Sequence, residues 1–175
     1  MEKKALIITV GGSDEPVVVS IKELKPQYIY FICSGGTDRK KASTFCVDGE
    51  GDVCERKREI KCPECKKVIE KVEKYPSIIK QSSYQGEYKK IELEDPDNFS
   101  EVFIKISEVI KEAKRNNYKI LTDFTAGTKT MSSALAIASA LDDEIEPYLV
   151  KGIRENTIKT TKESIPINIK NHIEK

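Results

Sequence analysis

Three apolar runs in this chain end in turns of the same kind. "ALIITV" (Ala5–Val10) leads into "GGS", "QYIYFIC" (Gln27–Cys33) into "SGGT", and "KILTDF" (Lys119–Phe124) into "TAGT". Each run is short, rich in β-branched or aromatic residues and bounded by turn residues, as expected of strands buried on both faces. Stretches of helical character lie between the runs. Such alternation predicts an α/β fold: a Rossmann-like, mostly parallel sheet flanked by helices. In open sheets of this type ligands sit beyond the carboxyl ends of the strands. All three turns are therefore expected on one edge. Small residues there let a ligand approach the backbone, and free amides at a helix start attract phosphate.

The remaining segments fit one domain over residues 1–175, long enough to bury a sizeable core. A first helix is expected through "EPVVVSIKELKP", capped by Ser13, with Pro16 in its first turn and Pro26 as its stop. Further strands are expected at Tyr88–Leu93 and Glu146–Gly152, and "CKKVIEKVEKY" is expected as a short helix ending at Pro76. In "DPDNFSEVFIKISEVIKEAKRNN", Phe99, Val102, Phe103, Ile106, Val109, Ile110 and Ala113 recur at helical spacing and form one apolar stripe. The tail "TIKTTKESIPINI" alternates and predicts a terminal strand or C-terminal hairpin. Residues 40–66 differ in character, being charged, glycine-containing and cysteine-rich; they are expected as an insertion.

Charge limits the partners. The chain carries 30 Lys+Arg against 29 Asp+Glu, a formal net charge of +1. A grip on a long nucleic acid would show a basic excess, so an anion site here has to be local. No apolar run approaches the roughly 18 residues of a membrane span. A soluble protein of a reducing cytoplasm is the expectation.

The third turn, "DFTAGTKTMSSA" (Asp123–Ala134), is the richest in chemistry. It is no P-loop, because Thr128 stands between Gly127 and Lys129, and G-x-G-x-x-G appears nowhere. Taken alone it fits a plain strand-to-helix turn with a solvated lysine. With the other two turns alongside, it offers several hydroxyls and one cation to an anion. The helix that follows is built of small residues, which suits close packing between the sheet and a second subunit.

Of five cysteines, Cys33 falls within an apolar run and is most simply a small buried residue. Cys46, Cys54, Cys62 and Cys65 fall in the insertion, the last two as "CPEC". C-x-x-C with an internal proline is a common half of a zinc site, whereas the Cys46–Cys54 spacing is looser than usual. Structural zinc on all four is the expectation, with a disulfide or a redox C-x-x-C as alternatives.

"DFTAGTKTMSSALA" resembles the signature of the CARF domain, the CRISPR-associated Rossmann-fold sensor of type III systems, whose pattern runs Asp-x-Thr-x-Gly-Thr-Lys-x-Met after the fourth strand. "ITVGGSDEPVVVSIKELKPQYIYFICS" resembles the amino-terminal part of that family and "VKGIRENTIK" its late strand and turn. The resemblance implies a homodimer that binds a cyclic oligoadenylate across its two-fold axis, with the tetra-adenylate ring as first choice. Carried over by position, Gly11, Gly12 and Ser13 would line the first loop. Ser34, Gly35, Gly36 and Thr37 would line the second, and Thr125, Ala126, Gly127, Thr128, Lys129 and Met131 the third.

Members of that family usually carry an effector, either fused or acting separately; none is visible in the residues after Lys151. A ring nuclease is the alternative. The ligand's own 2′-hydroxyl can attack the adjacent phosphorus when held in line, with Lys129, Thr125 and Ser34 as the catalytic candidates. The single histidine, His172, lies near the carboxyl end and makes histidine acid–base catalysis a poor expectation. A third possibility is a zinc-stabilised interaction module whose glycine loops are only turns.

Overall fold

The structure is a computed structural model that describes residues 2–38, 42–61, 65, 68–155 and 157–166. Its centre is β1 (Lys4–Val10), flanked in parallel by β2 (Tyr28–Ser34) and β6 (Lys119–Asp123). Outside these lie β5 (Glu87–Leu93) beside β2 and β7 (Ile145–Glu155) beside β6, both parallel. β8 (Thr157–Pro166) pairs antiparallel with β7, so the sheet runs β5-β2-β1-β6-β7-β8. A Rossmann-like α/β fold is thus present, with five parallel strands.

The period-2 rule divides β1 between two cores. Ala5 and Ile7 join Tyr30, Ile32 and Ile120 under α4 (Phe99–Arg115) and α5 (Lys129–Ala140). Leu6, Ile8 and Val10 join Ile29, Phe31 and Leu121 under α1 (Glu15–Leu24) and Ile78 of the short α3 (Ile78–Ser82). That double cover is why the run reads as continuously apolar.

Local chemistry starts and stops the helices. α1 has Pro16 in its first turn and ends at Lys25, which takes the left-handed conformation just before Pro26. Its cap is Asp14, not Ser13, and the Asp14 side chain makes no capping bond. α4 starts where Asn98 accepts from the Glu101 amide at 3.3 Å, and it buries Val102, Ile106, Val109, Ile110 and Ala113. Each such aliphatic is worth about 1.5–3 kcal/mol in gross burial, so the stripe outweighs any propensity term.

The insertion departs from expectation. It begins with α2 (Thr44–Asp48), then forms a two-stranded hairpin of β3 (Cys54–Lys61) and β4 (Val68–Tyr75). Within the "CKKVIEKVEKY" stretch, Val68–Tyr75 is therefore strand and not helix. Cross-strand pairing decides it: Glu55 faces Lys74 and Arg56 faces Glu73 in the antiparallel register. Among the described residues, no helix is long and apolar enough to cross a membrane.

Candidate functional site

The strand order brings three loops together. β2 lies on one side of β1 and β6 on the other, so the chain reverses its direction of winding at β1. The carboxyl ends of β1 and β6 form the switch point where such sheets bind ligands. The first loop, Gly11–Ser13, leaves β1 there; the third, Phe124–Thr128, leaves β6. The second loop, Ser34–Thr37, leaves β2 on the other flank.

The first and third loops touch through their backbones. A Cβ on Gly11 would lie 2.7 Å from the Gly127 nitrogen and 2.8 Å from its Cα. Gly127 has φ +100°, a region closed to most side chains, and a Cβ there would meet the Thr9 Cβ at 2.9 Å. The Thr9 hydroxyl donates to the Ala126 carbonyl, which also accepts from the Ser132 hydroxyl at 3.0 Å. The second loop is tied in by Ser43. Its hydroxyl donates to the Val10 carbonyl at 2.8 Å and accepts from the Ser34 amide at 2.9 Å.

Several expected ligand groups prove to be structural. The Thr125 hydroxyl donates to Asp123 Oδ1 at 2.6 Å and accepts from the Val150 amide at 2.7 Å. The Thr128 hydroxyl donates to the Pro96 carbonyl at 3.0 Å and caps α5 by accepting from the Met131 amide at 3.2 Å. The Ser34 hydroxyl donates to Ser43 Oγ at 3.1 Å. A hydroxyl has one proton, and in all three it is engaged. Met131, carried into the ligand set by position, is 1% exposed and packs in the core with Ala134 and Leu135. The Ala126 side chain is buried likewise.

What faces solvent is simpler. Gly12, Ser13, Gly36, Thr37 and Lys129 are exposed. Lys129 makes no ion pair among the described residues, and it opens α5, whose first amides have no acceptor within the helix. The partial positive charge of that helix start and the Lys129 ammonium act in the same place. Lys129, Ser133, Ile137 and Ala140 then form one exposed stripe down α5.

The sequence reading passed over Asp123. Its carboxylate is fully buried and accepts from Ser20 Oγ and from the Thr125 amide at 2.8 Å. Burial pushes this carboxyl above its usual range, against the hydrogen bonds from Ser20 and Thr125. The Asp-x-Thr spacing is itself a signal, since an aspartate commonly accepts from the amide two residues on.

Three of the four insertion cysteines lie within the described residues. At the base of the hairpin the Cys46 thiol donates to the Val53 carbonyl at 3.8 Å and the Cys54 thiol to the Cys46 carbonyl at 3.6 Å, and the interaction of the two thiols lowers the Cys46 pKa and raises that of Cys54. Cys65 is exposed in the turn beyond β3. Cys62 lies outside the described residues, as does His172. Among the described residues, no three His, Cys, Asp or Glu side chains are grouped to hold a metal. The expectation of structural zinc on Cys46, Cys54, Cys62 and Cys65 thus turns on a cysteine outside the described residues and stays a proposal. A separate groove between β5 and α4 is lined by Lys89, Lys105, Glu108 and Glu112. The Lys89–Glu112 ion pair at 2.8 Å crosses it, so it offers no surplus of positive charge to an anion.

A Rossmann-like sheet with two small-residue loops at its switch point, a third beside them and a lysine-headed helix is thus the class of architecture. No protein-family model and no curated protein matches the chain. Solved structures do. Enterococcus italicus Csm6 bound to cyclic hexa-2'-fluoro-hexa-dAMP matches with a TM-score of 0.65 at 13% identity, over 99% of this chain and 44% of that one. A type III CRISPR defence DNA nuclease activated by cyclic oligoadenylate matches with a TM-score of 0.57 at 14% identity, over 91% of this chain and 20% of that one. Can2 from Sulfobacillus thermosulfidooxidans in complex with cyclic tetra-adenylate matches with a TM-score of 0.57 at 11% identity, over 93% and 36%. The chain spans less than half the length of each. It shares their fold, in agreement with the CARF resemblance of its motifs.

Proposed function

We propose that this chain is a cyclic oligoadenylate sensor of type III CRISPR antiviral defence, binding the ring at the edge where its three loops meet. The observation that carries the reading is the placement of Lys129 and the α5 amides beside the Gly11–Gly127 contact. A small polyanion needs a local cluster of donors and no basic face, which suits a chain of net charge +1. The expected ring contacts are the amides and hydroxyls of Gly11, Gly12, Ser13, Gly36 and Thr37, with Lys129 as the cation; the Gly35 amide already donates to the Leu93 carbonyl at 2.9 Å. Thr125, Thr128 and Ser34 hold the loops in shape.

A homodimer is part of the proposal. The exposed stripe on α5 includes Ile137 at 44% and adjoins Leu141 at 75% exposure, apolar surface that a second copy would cover. Since Lys129 heads that stripe, a two-fold axis along α5 would bring two ammonium groups to one ring.

Ring cleavage is the second reading, favoured by one observation: the exposed ammonium of Lys129 has no ion-pair partner among the described residues. With the hydroxyl protons of Thr125 and Ser34 engaged, it falls mainly to Lys129 and backbone amides to stabilise charge on phosphorus.

A melting screen against cyclic tri-, tetra- and hexa-adenylate tests the sensor. At a hundredfold excess over its dissociation constant the right ring adds about 2.7 kcal/mol, a Tm rise of about 5–10 °C for a chain of this size. Lys129→Ala should abolish most of the rise while leaving the unliganded Tm unchanged. No rise with any ring removes the proposal. Labelled tetra-adenylate that stays intact for hours at excess protein rejects cleavage.

A further inference from the structure

The β3–β4 hairpin is joined to the first loop by a buried ion pair. Asp14 directly follows Ser13, caps α1 and is 2% exposed. Instead of bonding the helix amides, its carboxylate reaches the hairpin. Arg56 of β3 donates to it twice, Nε at 3.0 Å and Nη2 at 2.7 Å, and Gln81 Nε2 donates at 2.6 Å. Arg56 is itself held flat, its guanidinium 4.0 Å from the centre of the Tyr75 ring on β4 and bonded to Gln81 Oε1 at 2.7 Å. A two-point grip between planar groups fixes orientation as well as distance.

This grip differs from the chain's surface pairs. Lys71–Glu73 and Lys114–Glu144 stand in solvent, where such pairs hold little in place. Arg56 and Asp14 are 17% and 2% exposed, and removing one partner would leave a buried charge without compensation. The hairpin has no third strand among the described residues. A two-stranded ribbon of that kind is marginal by itself and opens easily. Its order therefore depends on its base, and the base is bolted to the residue after Ser13.

We infer that Arg56 is a positioning residue: through Asp14 it sets the conformation of the Gly11–Ser13 loop and couples occupancy of that loop to the order of the β3–β4 hairpin. The second half rests on the proposed role of Gly11–Ser13 as a ligand loop. The first half does not. By reciprocity, whatever ligand tightens the loop tightens the hairpin, and loosening the hairpin weakens the ligand by the same factor.

Amide hydrogen exchange on the full chain separates the two halves. Without ligand, Arg56→Gln should speed exchange at Gly12–Asp14 as well as at Cys54–Lys57 and Val72–Tyr75, while Ile120–Thr122 in the central sheet stays protected. Exchange at Gly12–Asp14 equal to that of the parent chain would overturn the positioning role. Saturation of the parent chain with cyclic tetra-adenylate should slow exchange at both the third loop and the hairpin base. In Arg56→Gln the third loop should remain protected, the hairpin effect should vanish, and affinity should fall about tenfold. Protection of the third loop with no change at the hairpin of the parent chain would overturn the coupling. No protection anywhere would count against the ligand assignment and leave the first comparison standing. Should Arg56→Gln unfold, Asp14→Asn with Arg56→Gln keeps hydrogen bonding without a buried lone charge, and the same comparisons apply.

Discussion

Gly11 and Gly127, at the ends of neighbouring strands, are packed so closely that a single added carbon on Gly11 would overlap the Gly127 backbone at 2.7 Å. The obstruction is main chain, which cannot swing aside as a side-chain tip would. The first and third loops therefore behave as one surface.

Gly11→Ala should cost about 1–3 kcal/mol, the usual range for overpacking against a fixed neighbour. Gly12 is the control, because an added Cβ there meets nothing within 4 Å. Gly12→Ala should stay within about 0.5 kcal/mol of the parent. Thermal melts of the two variants side by side check this, and equal Tm values would contradict the close contact.

Asp123 gives a pH signature. Its folded carboxyl is raised above the unfolded value, so the folded chain keeps a proton that the unfolded chain releases. Stability is therefore lost as pH rises from the unfolded value through the folded one, and below that window there is no effect. Asn can accept from Thr125 and donate to Ser20 without ionising. The Tm of Asp123→Asn relative to the parent should rise as pH increases above about 4. A difference that stays flat, or falls, would show that the buried carboxylate is better satisfied than burial implies. Asp14 shifts the other way. Burial raises it, but the bonds from Arg56 and Gln81 outweigh burial and hold it low. Being common to both chains, it cancels in the comparison.

Ile137→Glu places a charge in the exposed α5 stripe. In an isolated chain this surface change should alter stability by no more than about 0.5 kcal/mol. In a dimer packed on α5 it buries an unpaired charge and should convert the protein to monomer. Sedimentation of the two proteins at equal concentration decides; an unchanged dimer would move the interface elsewhere.

The cysteines should differ sharply in reactivity. Cys33 is fully buried, and burial pushes its thiol up to about 12, so it should resist alkylation in the folded state. Cys65 is exposed and should be modified first, with Cys46 ahead of the buried Cys54. With structural zinc on Cys46, Cys54, Cys62 and Cys65, freshly purified reduced protein should carry about one zinc per chain. Far less than one zinc per chain would remove the four-cysteine site.

Much of the edge was legible in the sequence. Ala5–Val10, Lys119–Asp123 and the α4 stripe are local patterns, and burial on both faces of the sheet wrote them as continuous or periodic apolar residues. The hairpin was not legible. Val68, Ile69 and Val72 fit a helical face as well as a strand, and the choice was made by partners far along the chain, Glu55, Arg56 and Asp14. The fate of the hydroxyls was equally hidden. Thr125 looks like a ligand group until Val150 and Asp123 are seen to take both its acceptor and its donor roles. Ser13 looked like the cap, but Asp14 holds that position with its carboxylate turned toward Arg56.

The pairing of β1 with β6 has a temporal consequence. Lys4 lies beside Lys119, so the two halves of the edge come from segments 115 positions apart in the sequence. While the chain is being synthesised, the first two turns emerge long before the third, and the surface that would receive a ring does not exist until the strand at Lys119–Asp123 slots in beside β1. On the proposed reading, a copy whose synthesis has not passed Asp123 has only part of the edge to offer a ring.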